Sequence, residues 1–155
     1  MKTIKGDLIK LAIDGKFDVI VHGANCFCTF GAGIAKQISK HFPQAYEADL
    51  KTKRGDINKL GTISVGEYNI SLDQKLYIVN AYTQYKYGGQ SHGVIDVDYN
   101  AVGSCFREIK KRFTGKKIAF PKIGAGLAGG EWEIITKIIN TELEGENFTL
   151  VEYYK

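Results

Sequence analysis

Proline is scarce in this chain, at 2 of 155 residues, and tryptophan and methionine occur once each. No internal repeat and no low-complexity tract divides the sequence, so one domain over residues 1–155 is expected. Cysteine numbers only 3, which excludes a disulfide framework. Cys26 and Cys28 stand too close together for an ordinary bridge and lack companion ligands for zinc, so with Cys105 they read as packing residues. Long apolar runs are missing, which argues against a membrane-spanning helix. The segment Met1–Asp7 has no apolar signal core, so no export is implied, and a reducing cytoplasm is the expected location. Charge of one sign is not in large excess. The net charge is +4, and the longest basic cluster is Lys110-Lys111-Arg112. That is too little for a basic nucleic-acid stripe, but a mild positive field favours an anionic metabolite.

Glycine, by contrast, is plentiful, at 18 residues. Two glycine-rich segments stand in matching contexts. Gly23-Ala24-Asn25, running on to Gly31-Ala32-Gly33-Ile34-Ala35, follows the apolar run Val19-Ile20-Val21. Gly124-Ala125-Gly126-Leu127-Ala128-Gly129-Gly130 follows Ile118-Ala119-Phe120. A strand, a glycine loop and a helix N-terminus together make an anion site. Backbone N–H groups point outward there, and no Cβ blocks the approach of a phosphate. Two such sites imply one ligand with two phosphates.

The remaining pattern alternates. Strands are expected at Thr3–Lys5, Phe17–His22, Thr62–Tyr68, Leu76–Ala81, Lys117–Phe120 and Phe148–Tyr153, with a turn over Asn69–Gln74. Helices are expected after the N-cap Asp7, around Ile34, Ile38 and His41, from Pro43 onward, after the N-cap Asp98, and around Trp132, Ile135, Ile138 and Ile139. This order predicts an α/β fold: a three-layer α/β/α sandwich with a mixed, mostly parallel central sheet. Ligands of such sheets sit at the carboxyl ends of the strands, where both glycine loops fall.

The first loop is neither a Walker loop, since no Gly-Lys-Ser or Gly-Lys-Thr follows, nor the dinucleotide fingerprint, since its glycine spacing differs. Asn25 carries both a donor and an acceptor, for a ligand or for capping its own turn. The pieces Gly6-Asp7-Leu8, Val19–Asn25, Gly31–Ala35 and Pro121–Leu127 together, in this order, resemble the macrodomain family, the ADP-ribose-binding α/β/α module. The resemblance implies that ADP-ribose is the ligand; no metal-ligand cluster is evident in the sequence, so no metal and no cofactor are expected. Carried over by position, it places Asp7 on the adenine amino group with Leu8 beside it. It places Asn25 at the distal ribose and Gly33 and Ile34 on one phosphate, with Ala24, Gly31 and Ala32 also among the ligand-binding residues. Gly124, Ala125, Gly126 and Leu127 would wrap the diphosphate. Asp7 also serves as a helix N-cap in the plain reading of the residues.

Macrodomains divide into binders, ADP-ribosyl hydrolases and phosphatases. Tyr85–Gly93, with Gly88-Gly89-Gln90-Ser91-His92-Gly93 at its centre, resembles a loop of the ADP-ribose-1″-phosphate phosphatase branch, as do His22 and Asn25. The glycohydrolases and the DNA ADP-ribosylation antitoxins of the family rely on a lysine where this chain has Gln84, and the glycohydrolases add an aspartate where it has Ala128. Lys86, two residues on, is the alternative source of an amine. The resemblance therefore makes His22, Asn25 and His92 the expected catalytic residues of a metal-independent phosphatase acting on ADP-ribose-1″-phosphate. His22 and His92 each keep a plain alternative, as a buried ring hydrogen-bonded to backbone and as an exposed loop residue. Two other functions stay open: a hydrolase removing ADP-ribose from modified protein or nucleic acid, and a non-catalytic ADP-ribose-binding module. Tyr82, Tyr85 and Tyr87 form an aromatic run beside this loop. Asp96 and Asp98 read as helix caps, His41 as structural, and Trp132 as a core residue.

Overall fold

The structure, a computed structural model, describes residues 1–153; Tyr154 and Lys155, the end of the expected domain, lie outside the described residues. Among the described residues, six strands and five α-helices follow in the order β1 (Lys2–Lys5), α1 (Leu8–Ile13), β2 (Val19–Ala24), α2 (Gly33–His41), α3 (Pro43–Leu50), β3 (Ile63–Asn69), β4 (Lys75–Tyr82), α4 (Tyr99–Phe113), β5 (Lys117–Phe120), α5 (Trp132–Glu142) and β6 (Asn147–Glu152). The strands form one sheet in the order β1-β6-β5-β2-β4-β3. Only β3 runs antiparallel, paired to β4 from Ile63↔Ala81 to Asn69↔Lys75. The other neighbours are parallel. This is the expected mixed, mostly parallel sheet.

The central strands are apolar on both faces because both faces are covered. Val19, Val21, Val79 and Ala81 pack with residues of α4 and α5 such as Phe106, Ile109, Ile135 and Ile139. Ile20, Leu76 and Ile78 point to the opposite face, against Leu8, Ile38, Phe42 and Ala45 of α1 to α3. On α4, Val102, Cys105, Phe106, Ile109 and Phe113 make a buried stripe, and Asp98 Oδ1 caps its start by accepting from Ala101 N at 3.0 Å. Cys26, Cys28 and Cys105 are all buried and unbridged, as packing residues would be. Burial pushes the Cys105 thiol up to about 12. Among the described residues, no helix is long and apolar enough to cross a membrane.

One boundary differs in a way that matters. The strand expected at Phe17–His22 starts at Val19 and continues through Gly23 and Ala24. Parallel pairing extends it, since Gly23 and Ala24 stand opposite Ala81 and Tyr82 of β4. The first loop therefore starts at Asn25, directly off the sheet. Gly23 is confined there: a Cβ on it would stand 2.9 Å from Thr83 Oγ1.

Candidate functional site

Two cavities open along the segment that joins β2 to α2. The larger, about 890 Å³, is lined by Asp7, Leu8, Gly33, Ile34 and Lys122 among others. The smaller, about 320 Å³, is lined by Ala24, Asn25, Gly31, Ala32, Gln84 and Tyr87 among others. Consecutive residues Gly31 to Ile34 thus face first one cavity and then the other. Helix α2 begins at this junction. Its N-cap is Ala32, with no side chain to cap it, so the first-turn N–H groups lack a side-chain acceptor. The helix dipole adds a preference for negative charge at the same point.

Asp7 does cap α1: its Oδ1 accepts from Lys10 N at 3.2 Å. One carboxylate oxygen thus serves the helix, on a residue that also lines the larger cavity. Leu8 is buried beside it. Asn25 is held in a compact turn. Its Oδ1 accepts from Phe27 N at 2.8 Å and from Thr29 Oγ1 at 3.1 Å, while its Nδ2 donates to Thr29 O at 3.0 Å. A primary amide has two N–H bonds, so one remains for the small cavity. Both readings of Asn25 therefore coexist in one residue, because the turn it caps fixes its orientation.

The three expected catalytic residues are not brought together. His22 is fully buried on the sheet face that carries Ile20, and it lines neither cavity. Its ring meets the edge of Phe30, with centroids 5.0 Å apart. Its Nε2 lies 2.6 Å from Asn80 Oδ1, an acceptor, so the Nε2–H tautomer is the one that fits. Its Nδ1 has no hydrogen-bond partner. Protonating that nitrogen would bury an uncompensated charge, and desolvation accordingly lowers the His22 pKa to about 4. A neutral ring at zero exposure is placed to support the strand end, not to touch a ligand. His92 ends an exposed 3-10 turn, Gly89–His92, flanked by Gly88 and Gly93 at φ 81° and 71°. Asp96 ties this turn down, accepting from Gly89 N at 2.8 Å.

Gln84 lines the small cavity and donates from Nε2 to Lys86 O at 2.8 Å. Lys86 itself is exposed and is not part of the cavity wall. The tyrosine run splits three ways. Tyr82 is core, Tyr85 donates to Gly55 O at 2.7 Å, and Tyr87 lines the cavity.

The second glycine segment is partly structural. Gly124 adopts φ +74°, and a Cβ there would stand 2.7 Å from Val97 Cγ2. A Cβ on Gly130 would stand 2.6 Å from Gly124 O. Gly126 faces open space, and Leu127 is exposed. Gly124, Ala125, Gly126 and Leu127 line neither cavity. Sequence reasoning missed Lys122 and Gln37 on the larger cavity and Thr29 on the smaller. Lys122 lies inside the Pro121-Lys122-Ile123 motif, and its neighbours were the available signal. His41 also reaches the larger cavity's wall, with Nδ1 3.0 Å from Gln37 O.

The profile of the Macro domain family matches residues 21–139. The chain belongs to that family. As a Macro domain it is similar to an uncharacterized 17.5 kDa protein of Enterobacteria phage T4, at 38% identity over 158 residues, 99% of this chain and 96% of that one. It is 27% identical over 140 residues to an ADP-ribose 1″-phosphate phosphatase of Candida albicans, covering 86% of this chain and 87% of the relative. It is 28% identical over 132 residues to a DNA ADP-ribosyl glycohydrolase of Mycobacterium tuberculosis, covering 83% of this chain but 34% of that protein. Among solved structures, a protein of unknown function from Bacteroides thetaiotaomicron superposes with a TM-score of 0.81 at 29% identity, over 97% of this chain and 96% of the other.

Proposed function

We propose that this Macro domain binds ADP-ribose across the two cavities and hydrolyses the 1″-phosphate of ADP-ribose-1″-phosphate. Adenine occupies the larger cavity beside Asp7 and Leu8. The diphosphate crosses the uncapped start of α2, where Gly33 and Ile34 present N–H groups. The distal ribose enters the smaller cavity. The observation that carries this reading is Asn25, an amide fixed by three hydrogen bonds with one N–H left over, in a cavity whose wall holds Gln84 and no lysine.

That wall has no amine to attack an anomeric carbon, so a lysine-bound intermediate is not part of the reaction. In the proposed step a water oxygen bonds to phosphorus and the bond from phosphorus to O1″ breaks. One proton of the water ends on O1″, which leaves as a hydroxyl, and the other stays on the released phosphate. We assign the acid–base role to His92, which lines neither cavity and has to swing in from its exposed, glycine-flanked turn, since His22 is buried and neutral. The likeness to the Candida albicans phosphatase, over 86% of this chain and 87% of that protein, supports this choice of substituent.

A second reading has its own support. Apart from Tyr87, the small cavity is walled by residues that do not titrate, which suits removal of ADP-ribose from a modified macromolecule with the substrate's own phosphate activating water. The likeness to the Mycobacterium tuberculosis glycohydrolase points the same way. One assay separates them. Incubation with ADP-ribose-1″-phosphate, without added metal, is expected to release phosphate, with Asn25→Ala and His92→Ala each slower by about a hundredfold. No release by the unaltered protein overturns the phosphatase. Liberation of ADP-ribose from modified DNA or protein would establish the second reading, and tight ADP-ribose binding without either reaction would leave a binding module.

A further inference from the structure

We propose that Lys59 is a positioning residue for Asn25, gripping the Asn25–Thr29 turn from behind the small cavity; this rests on the reading that Asn25 meets the ligand. Lys59 is only 7% exposed. Burying a lysine head is costly unless it is well partnered, and no ion pair involves Lys59 among the described residues. Its partners are the back of the turn. Nζ donates to Cys26 O at 3.1 Å and to Cys28 Sγ at 3.6 Å, and stands 4.8 Å from the centroid of the Tyr82 ring.

The turn needs such a grip. Cys28 adopts φ 56°, the only left-handed non-glycine among the described residues. A side chain there is strained and persists only when its surroundings hold it. Tyr85 O and Gln84 O hold Cys26 N and Sγ at 3.0 and 3.6 Å, and the remaining surroundings come from one segment. Gly55 N donates to Cys26 O at 2.7 Å, Tyr46 Oη donates to Cys28 O at 3.1 Å, and Cys28 Sγ donates to Asp49 O at 3.4 Å. Among the described residues, Lys59 is the one side chain that hydrogen-bonds to both Cys26 and Cys28. Cys26 follows Asn25 directly, so a shift of its carbonyl moves the Asn25 backbone. Asp49 is buried too, with Oδ1 accepting from Tyr82 Oη at 2.6 Å and Oδ2 unpartnered.

Lys59→Met keeps the aliphatic stem and removes the Nζ contacts. The backbone amide of Phe27, which donates to Asn25 Oδ1, reports the turn independently of any reaction. We expect it to exchange with solvent at least about tenfold faster, and kcat on ADP-ribose-1″-phosphate to fall about tenfold to a hundredfold with a smaller change in KM. Lys59→Arg, which keeps donor groups, should recover part of both. Ile109→Val, in the core on the other face of the sheet, controls for lost stability. Exchange at Phe27 no faster in Lys59→Met than in that control overturns the proposal. Faster exchange at Phe27, in a protein whose unaltered form releases no phosphate, supports the grip and refutes the phosphatase reading instead. Should Lys59→Met not fold, Lys59→Gln carries both readouts.

Discussion

A Cβ added to Gly33 would stand 3.6 Å from Leu127 Cδ1. The two glycine-rich segments, distant in the chain, therefore meet at the start of α2. Leu127 contributes an exposed apolar side chain at that meeting, while Gly33 contributes a backbone N–H and no bulk. The arrangement is asymmetric: the first segment walls both cavities, and the second supplies a neighbour to one of its glycines.

Gly33→Ala tests the first half of that division. Gly33 has φ +60°, so alanine meets backbone strain, while the space for its Cβ is adequate. The strain is about 1–2 kcal/mol, and the first turn of α2 relieves it by rotating its N–H groups away. ADP-ribose affinity, read by calorimetry, is expected to fall roughly 5- to 30-fold, the factor that this energy represents. Unchanged affinity would remove Gly33 from the phosphate grip.

His22 gives a pH signature. Its pKa falls from 6.5 in the unfolded chain to about 4 in the folded one, so between those values the unfolded state binds more protons. Stability from this residue is complete above pH 6.5 and is lost as pH falls toward 4, by about 3 kcal/mol. Asp49 acts oppositely. Burial raises its pKa, so its neutral form is favoured in the fold and its contribution declines as pH rises. Denaturant titrations of His22→Gln beside the unaltered protein isolate the histidine. The difference in pH dependence between the two should lie between pH 4 and 6.5. Parallel curves across that window would show that His22 is not held neutral.

Much of this was legible in sequence. Valine and isoleucine runs marked the central strands, and Asp7 and Asp98 marked helix starts because a carboxylate accepting from a first-turn N–H is a local device. What escaped depends on partners far along the chain. Gly23 and Ala24 read as loop, yet pairing with β4 makes them strand. His22 read as a candidate acid or base, yet Asn80, 58 residues away, takes its ring into the core. Period-two alternation held the clue, since His22 shares the face of Ile20. Lys59 gave no signal, because a lysine in a polar stretch reads as surface until the Cys26–Cys28 turn is folded over it.

Asp7 performs two tasks that two substitutions can separate. Its Oδ1 caps α1 through Lys10 N, and the residue lines the larger cavity. Asparagine caps helices about as well as aspartate, whereas alanine forfeits about 1 kcal/mol. Asp7→Asn should therefore keep the thermal midpoint, and Asp7→Ala should lower it. Ligand binding should not follow the same pattern. A carboxylate accepts from the exocyclic amine of adenine, and a hydrogen bond to a charged group is worth about 1.5–3 kcal/mol. Both variants should lose about tenfold or more in ADP-ribose affinity. Because guanine presents a carbonyl at that edge, the preference over GDP-ribose should shrink in both. Calorimetry with the two nucleotides decides it: a loss of affinity in Asp7→Ala alone would mean that Asp7 acts only through the helix it caps.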